Sequence, residues 1–412
     1  MQSLLILGRQ PELGLAELES LYGADKLRAV GDHAAVVDID PCLLAFDRLG
    51  GSIKFCKVLT TLDTTNWRDV EAFLRKVGPG HAATMPEGKM RLGFSTLGMG
   101  VSIKQMEASG LSLKKAIRAA GRSARLVPNK THELNSAQVI HNQLTGPTGW
   151  ELVFVRDGQQ TIIAQTVKVQ DIEAYTTRDR GRPKRDAKVG MLPPKLAQII
   201  INLAVGQLTE DKLSSICDIP AGAEIPRPQL GQTILDPFCG TGVILQEATL
   251  MGYDIYGTDL EPRMVDYSKA NLDWLQQRYN LAESTGHLDV GDATEHKWTK
   301  STDFVAAETY LGRPFTSYPS SEILAQTATD CNLIIKRFLK NLQTQLASGT
   351  RICLAIPAWQ TRPNEFKNLP LIDQIDDLGY NQVSFEHTGV DKLIYYRSDQ
   401  IVARRLIVLI RK

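Results

Sequence analysis

Net charge is nearly absent from this chain. Its 47 Lys and Arg balance 46 Asp and Glu, for a formal net charge of +1, which excludes a polybasic protein and limits any nucleic-acid contact to local patches. Long apolar runs are missing too. No uninterrupted stretch approaches the length a bilayer requires, and the opening Met1 to Arg9 lacks a basic segment followed by a cleavable apolar one, so the expected location is cytoplasmic with no membrane partner. Cysteine is sparse: Cys42, Cys56, Cys217, Cys239, Cys331 and Cys353 form no Cys-x-x-Cys pair and no Cys/His cluster, which argues against disulfides and structural zinc. The seven histidines show no ligand spacing, so no metal site is expected. What is present, 43% hydrophobic and 23% charged residues, is the composition of a globular protein. At 412 residues it is too long for one ordinary core.

The run from Thr233 to Glu247 is an apolar strand, a glycine turn and a helix start in unbroken order. Gly240 and Gly242 let the backbone pass close to a ligand, and the amides opening the following helix favour a carboxylate or phosphate. No Gly-Lys-Ser/Thr ending follows, and Asp236 at the strand end would repel a diphosphate. Both facts disfavour ATP and NAD and leave S-adenosylmethionine. Ile255 to Asp259 reads as a second strand ending in a carboxylate roughly 20 residues on, the spacing at which an acid takes both ribose hydroxyls in a doubly wound fold. Leu288 to Asp292 reads as a third strand, whose Asp292 can accept from an adenine amine. A single strand-end aspartate is as often a turn or cap residue; three in series behind a Gly-x-Gly turn favour a cofactor pocket.

The texture changes along the chain. From Leu4 to about Lys168, short strands alternate with amphipathic helices such as 12–21 and 112–120, and Glu151–Gly158 with Thr161–Val169 reads as a hairpin turning at Asp157-Gly158. This is α+β texture without a cofactor signature. Lys114 to Lys130, including Arg122 and Arg125, carries many cations and no acid. A second basic run, Arg178 to Lys188 with Arg180, Arg182 and Arg185, is rich in Gly and Pro and reads as an extended linker. One such run is commonly a solvated face; two beside a catalytic fold favour a polyanionic substrate. Pro193 and Pro194 suit the first turn of a helix, and residues 209–229 read as an irregular surface excursion. Beyond them, strands at 255–258, 288–291, 303–307 and 351–357 and helices at 261–279 and 321–346 imply a mostly parallel, doubly wound sheet. The segments 393–397 and 402–410 imply an antiparallel edge hairpin.

Asp236 to Gly242, the preceding Gly190 to Ala197, and the upstream Arg122 to Val127 with Glu133 to Val139 together resemble THUMP-domain tRNA guanine-N2 methyltransferases. The resemblance implies a ferredoxin-like domain over 1–65 and a THUMP-like RNA-binding domain over 66–170. A basic linker would follow over 171–190, and a Rossmann-like α/β methyltransferase domain over 191–412. It implies S-adenosylmethionine as methyl donor and tRNA as partner, with an activating subunit left open, and N2 of guanosine 10 as the acceptor. Asp236, Pro237, Gly240 and Gly242 would face the methionine and ribose part of the cofactor, Asp259 the ribose and Asp292 the adenine. Pro193, within Met191 to Lys195, would close over the methionyl end. Arg122, Arg125, Lys130, Arg180, Arg182 and Arg185 would contact RNA.

The family carries Asp-Pro-Pro-Tyr-Gly after the fourth strand, whereas this chain reads Glu308-Thr309-Tyr310-Leu311-Gly312. An acid, a ring and a glycine remain, both prolines are gone, and the ring comes one position early. Alkylating an aryl amine requires its nitrogen lone pair localised and aimed, so acceptor geometry carries much of the rate. Glu308 is the expected amine acceptor and Tyr310 the stacking ring for an extruded base. Two other readings stay open: a catalytically silent, cofactor-binding tRNA-binding protein, and a methyltransferase for an adenine or cytosine amine in RNA or DNA. Trp359 after the 351–357 strand, with Tyr395 and Tyr396, reads as packing. Cys239 lacks the placement beside the fourth-strand motif that carbon methylation requires.

Overall fold

The computed structural model describes residues 2–186, 191–217, 230–281, 286–315, 317–362, 365–398 and 400–412. Residues 187–190 of the expected linker and 218–229 of the expected excursion lie outside the described residues. The chain divides into two compact units, one of Met1–Pro11, Asp25–Asp47 and Ser52–Glu173, the other of Glu12–Ala24, Arg48–Gly51 and Ala174–Lys412. The first helix, α1 (Pro11–Tyr22), therefore folds with the second unit, although it falls within the segment 1–65 expected to form an N-terminal domain.

In the first unit, eight strands form a single sheet: β1 (Ser3–Leu7), β2 (Leu27–Val30), β3 (Ala34–Val37), β4 (Ser52–Leu62), β5 (Met90–Leu97), β6 (Ala124–Leu126), β7 (Gly149–Asp157) and β8 (Gln160–Val169). Their order is β2-β3-β1-β4-β8-β7-β5-β6, so strands from both sides of residue 65 share one sheet. The expected hairpin is β7 and β8: Asp157 lies opposite Gln160, and Gly158 takes the positive φ of +58° that a two-residue turn requires. Helices α2 (Trp67–Thr84), α3 (Ile103–Ala119) and α4 (Ser136–His141) complete the unit. Ser102 and Gln105 form a capping box that starts α3 nine residues before the expected Ser112, a local signal outside the apolar pattern. The core gathers Met90, Leu92, Phe94, Leu113, Ile117, Trp150 and Phe154.

The second unit holds α1, α5 (Ile172–Arg180), α6 (Pro194–Val205), α7 (Glu210–Cys217), α8 (Val243–Leu250), α9 (Pro262–Tyr279) and α10 (Ser321–Gln343). Two expectations change here. The basic run begins inside α5 rather than in extended chain, and α7 occupies part of the supposedly irregular 209–229. The sheet consists of β9 (Thr233–Asp236), β10 (Asp254–Asp259), β11 (His287–Val290), β12 (Phe304–Glu308), β13 (Arg351–Arg362), β14 (Glu365–Lys367), β15 (Tyr380–Gln382), β16 (Ile394–Tyr395) and β17 (Val402–Arg411). Its order is β11-β10-β9-β12-β13-β17-β15, with β14 on β13 and β16 on β17. The first five run parallel and β17 antiparallel, as expected, but β17 is interior because β15 and β16 pair with it too. Leu235, Val305, Ile352, Leu354, Phe338 and the fully buried Trp359 form its core, so Trp359 is a packing residue.

Candidate functional site

Strand order reverses between β9 and β12, and open α/β sheets bind ligands in the crevice beyond the strand ends at such a point. Asp236 and Glu308 end these two strands, and Asp259 ends β10 beside them. The glycine turn follows Asp236. Gly242 has φ +79°, and a Cβ there would lie 2.8 Å from Ser268 Oγ, so no larger residue fits. Helix α9 holds the turn from behind: Ser268 Oγ donates to the Gly240 carbonyl at 2.8 Å and Asn271 Nδ2 to the Thr241 carbonyl at 2.8 Å. The chain's own hydrogen bonds thus hold the shape of the turn, as a preorganised site requires.

Asp236, Asp259 and Glu308 share one electrostatic environment. Asp236 is 2% exposed and accepts from the Phe238 amide at 3.2 Å. Burial drives its carboxyl well above the usual range, and the nearby Asp259 and Glu308 charges push the same way. Asp259 accepts from the Gly240 amide at 2.9 Å and the Glu261 amide at 3.0 Å; burial still raises it. Asp292 lies in the loop after β11 and accepts from the Thr294 amide at 2.8 Å. Pro193 precedes the first turn of α6, which packs on α8, β12 and β13. Burial, then Asp236 and Asp259, push the Cys239 thiol far up, leaving no thiolate nucleophile in the turn.

At β12 the chain replaces proline rigidity with other restraints. Thr309 is 3% exposed, and its amide and hydroxyl both donate to the Ala355 carbonyl on β13, at 3.0 and 3.2 Å. Gly312 has φ +85°, and a Cβ there would lie 2.7 Å from Thr327 Cγ2 on α10. Tyr310 stands between these two fixed points, 43% exposed. Glu308 makes a contact that sequence reasoning missed: Arg404 Nε on β17 donates to its Oε1 at 2.7 Å, with the two side chains 16% and 7% exposed. Two arginines inside the otherwise apolar 402–410 strand were the available signal, because a buried cation is retained only with a partner.

The basic residues fall into distinct groups. In the first unit, Arg125 and Lys130 are exposed. Arg122 instead donates to the Ala82, Met85 and Pro86 carbonyls and closes the end of α2. In the second unit, Arg180 and Arg185 are exposed, whereas Arg182 is only 3% exposed, which corrects its expected place on an RNA-facing surface. Arg178 is likewise turned inward, bonding Glu247 at 2.7 Å. Among the described residues no helix is long and apolar enough to cross a membrane.

The sheet order is that of a Rossmann-like doubly wound α/β domain, the fold of methyltransferases among others. Residues 223–364 match the family described as "RMKL-like, methyltransferase domain". Over 169 residues the chain is 30% identical to the tRNA (guanine(10)-N2)-dimethyltransferase of Methanothermobacter thermautotrophicus (strain Delta H), an alignment covering 41% of this chain and 39% of that protein. Over 170 residues it is 28% identical to the protein of the same name from Pyrococcus abyssi (strain GE5 / Orsay), covering 40% and 39%. The chain thus spans about two fifths of the length of the curated relatives it matches. TrmN from Thermus thermophilus shares the fold across 100% of both chains, with a TM-score of 0.51 and 16% identity. These likenesses bear out the resemblance to tRNA guanine-N2 methyltransferases; they do not bear on a THUMP domain.

Proposed function

We propose that this protein is an S-adenosylmethionine-dependent RNA methyltransferase acting on the exocyclic N2 amine of a tRNA guanosine, position 10 being the first candidate. The observation that carries the reading is the convergence of Asp236, Asp259 and Glu308 around a preformed two-glycine turn at the switch point of the sheet. The residues present suit the cofactor. A backbone that no side chain could follow at Gly242 admits close approach; in this reading Asp259 takes the ribose hydroxyls and Asp292 the adenine amine. When bound, S-adenosylmethionine supplies an electrophilic methyl group and leaves as S-adenosylhomocysteine. Glu308 accepts an N–H hydrogen bond from the amine and so aims its lone pair, and the proton displaced on nitrogen passes to that carboxylate or to water. Tyr310, exposed between its two fixed neighbours, offers a ring face to an extruded base. Arg125 and Lys130, and separately Arg180 and Arg185, supply cations for the tRNA backbone. A cytoplasmic location, where tRNA is met, follows from this reading.

One observation favours the silent reading: Glu308 is already engaged by a cation. The deciding experiment is transfer of labelled methyl groups to unmodified tRNA transcripts by wild type and Glu308→Ala, followed by nucleoside mass spectrometry. Labelled N2-methylguanosine that disappears in the variant supports the enzyme. Cofactor and tRNA binding without any labelled nucleoside refutes it.

A further inference from the structure

We infer that Arg404 is a positioning residue of the transfer site, holding Oε1 of Glu308 so that Oε2 is presented to the base amine. The inference rests on the proposed methyl transfer and concerns how a glutamate serves where a shorter, stiffer motif is expected. Glu308 and Arg404 lie on strands separated by β13, yet they meet at 2.7 Å. The register explains how: Glu308 lies opposite Ala355, and Ala355 lies opposite Leu406, two residues from Arg404 on the same face. Ala355 has nothing beyond Cβ to bar the path.

The guanidinium is itself fixed at two places. Its Nε donates to Glu308 and its Nη1 to Gln400 Oε1 at 3.3 Å, so its plane is set before any ligand arrives. A bidentate fork would occupy both carboxylate oxygens. Among the described residues the contact is through Oε1 alone, which leaves the second oxygen for the substrate. Glutamate carries one more rotatable bond than aspartate, and a bond at the carboxylate end removes that freedom where it would blur the aim of the amine.

Charge acts in the same direction. The groups facing Glu308 are Arg404 from β17 and Asp236 from β9, with Asp259 from β10 beside Asp236. Arg404 brings a positive charge to a crevice end where carboxylates gather.

The test compares wild type, Arg404→Lys and Arg404→Ala in single-turnover methyl transfer at neutral pH, with cofactor and tRNA affinities measured separately. For Arg404→Ala, transfer at neutral pH should fall on the order of 10²-fold with both affinities kept. Arg404→Lys keeps the buried charge and hence the fold; it should recover part of the lost rate. A merely structural arginine predicts lowered thermal stability with an unchanged rate per folded molecule in either variant, and that result overturns the inference. Wild type that binds both ligands but transfers nothing overturns the proposed function itself, a different outcome from an active wild type matched by its Arg404 variants.

Discussion

Lowering the pH should stabilise the second unit through one buried carboxyl on α1. Glu17 is fully buried, and among the described residues its hydrogen bonds are all with donors: the Gly50 amide at 2.9 Å, the Gly51 amide at 2.8 Å and Asn202 Nδ2 at 2.7 Å. Arg48 stands close, bonding the same Asn202 at 2.8 Å. All of these favour the charged form, yet desolvation outweighs them and lifts the carboxyl from its ordinary 4.5 to about 7. Between those values the folded chain keeps a proton that the unfolded chain has lost. The stability this one group contributes is therefore greatest below about pH 4.5, declines as pH rises toward 7, and is flat above. At about 1.4 kcal/mol per pH unit, the decline attributable to this group is about 3 kcal/mol. Glu17→Gln is neutral throughout, so the variant should gain about 3 kcal/mol on wild type between pH 4.5 and 8, whatever its offset at the acid end. Urea unfolding of both proteins over that range measures it, because Asp236, Asp259 and Glu133, also raised by burial, contribute equally to both curves and cancel in the difference. Parallel curves would show that the three donors keep Glu17 charged and would refute the reasoning.

Gly242→Ala places a Cβ against Ser268 on a left-handed backbone; cofactor affinity by calorimetry should drop by at least tenfold, while the far-UV spectrum stays unchanged. Arg122→Ala removes the donors closing α2 and should lower stability by about 1–3 kcal/mol with little effect on tRNA affinity. Arg125→Ala and Lys130→Ala should do the reverse, weakening tRNA binding and reducing its salt slope by about 1 for each phosphate no longer neutralised; an unchanged slope would remove these residues from the RNA surface.

What the sequence made legible is local. The glycine turn, the strand ends at Asp236 and Asp259, and the hairpin of β7 and β8 are each written within a few residues, where backbone sterics and turn chemistry decide the outcome. The pairing of Glu308 with Arg404 was hidden because it depends on β17 entering the sheet beside β13, 96 residues along the chain from the acid it meets. The basic run misled for a related reason. Charge counted along a chain says nothing about direction, and Arg178 and Arg182 face inward while Arg180 and Arg185 face solvent. Helix α1 shows the same gap: its spacing reads as an amphipathic helix over 12–21, which does not say what its apolar face packs against or that nearly the whole helix is covered.

That helix has a consequence for how the molecule is made. Glu17 meets Asn202 across 185 residues, Ser20 meets Arg351 across 331, and Glu19 meets the Glu386 amide across 367. On the ribosome, α1 emerges long before any of these partners exists, with Leu13, Leu18 and Leu21 still lacking the surface that will cover them. A helix made early is thus buried late. Until those partners have been made it exposes an apolar face to whatever else is in the cell, so its docking depends on contacts of very long sequence separation, the kind that close slowly and leave a folding chain open to chaperones.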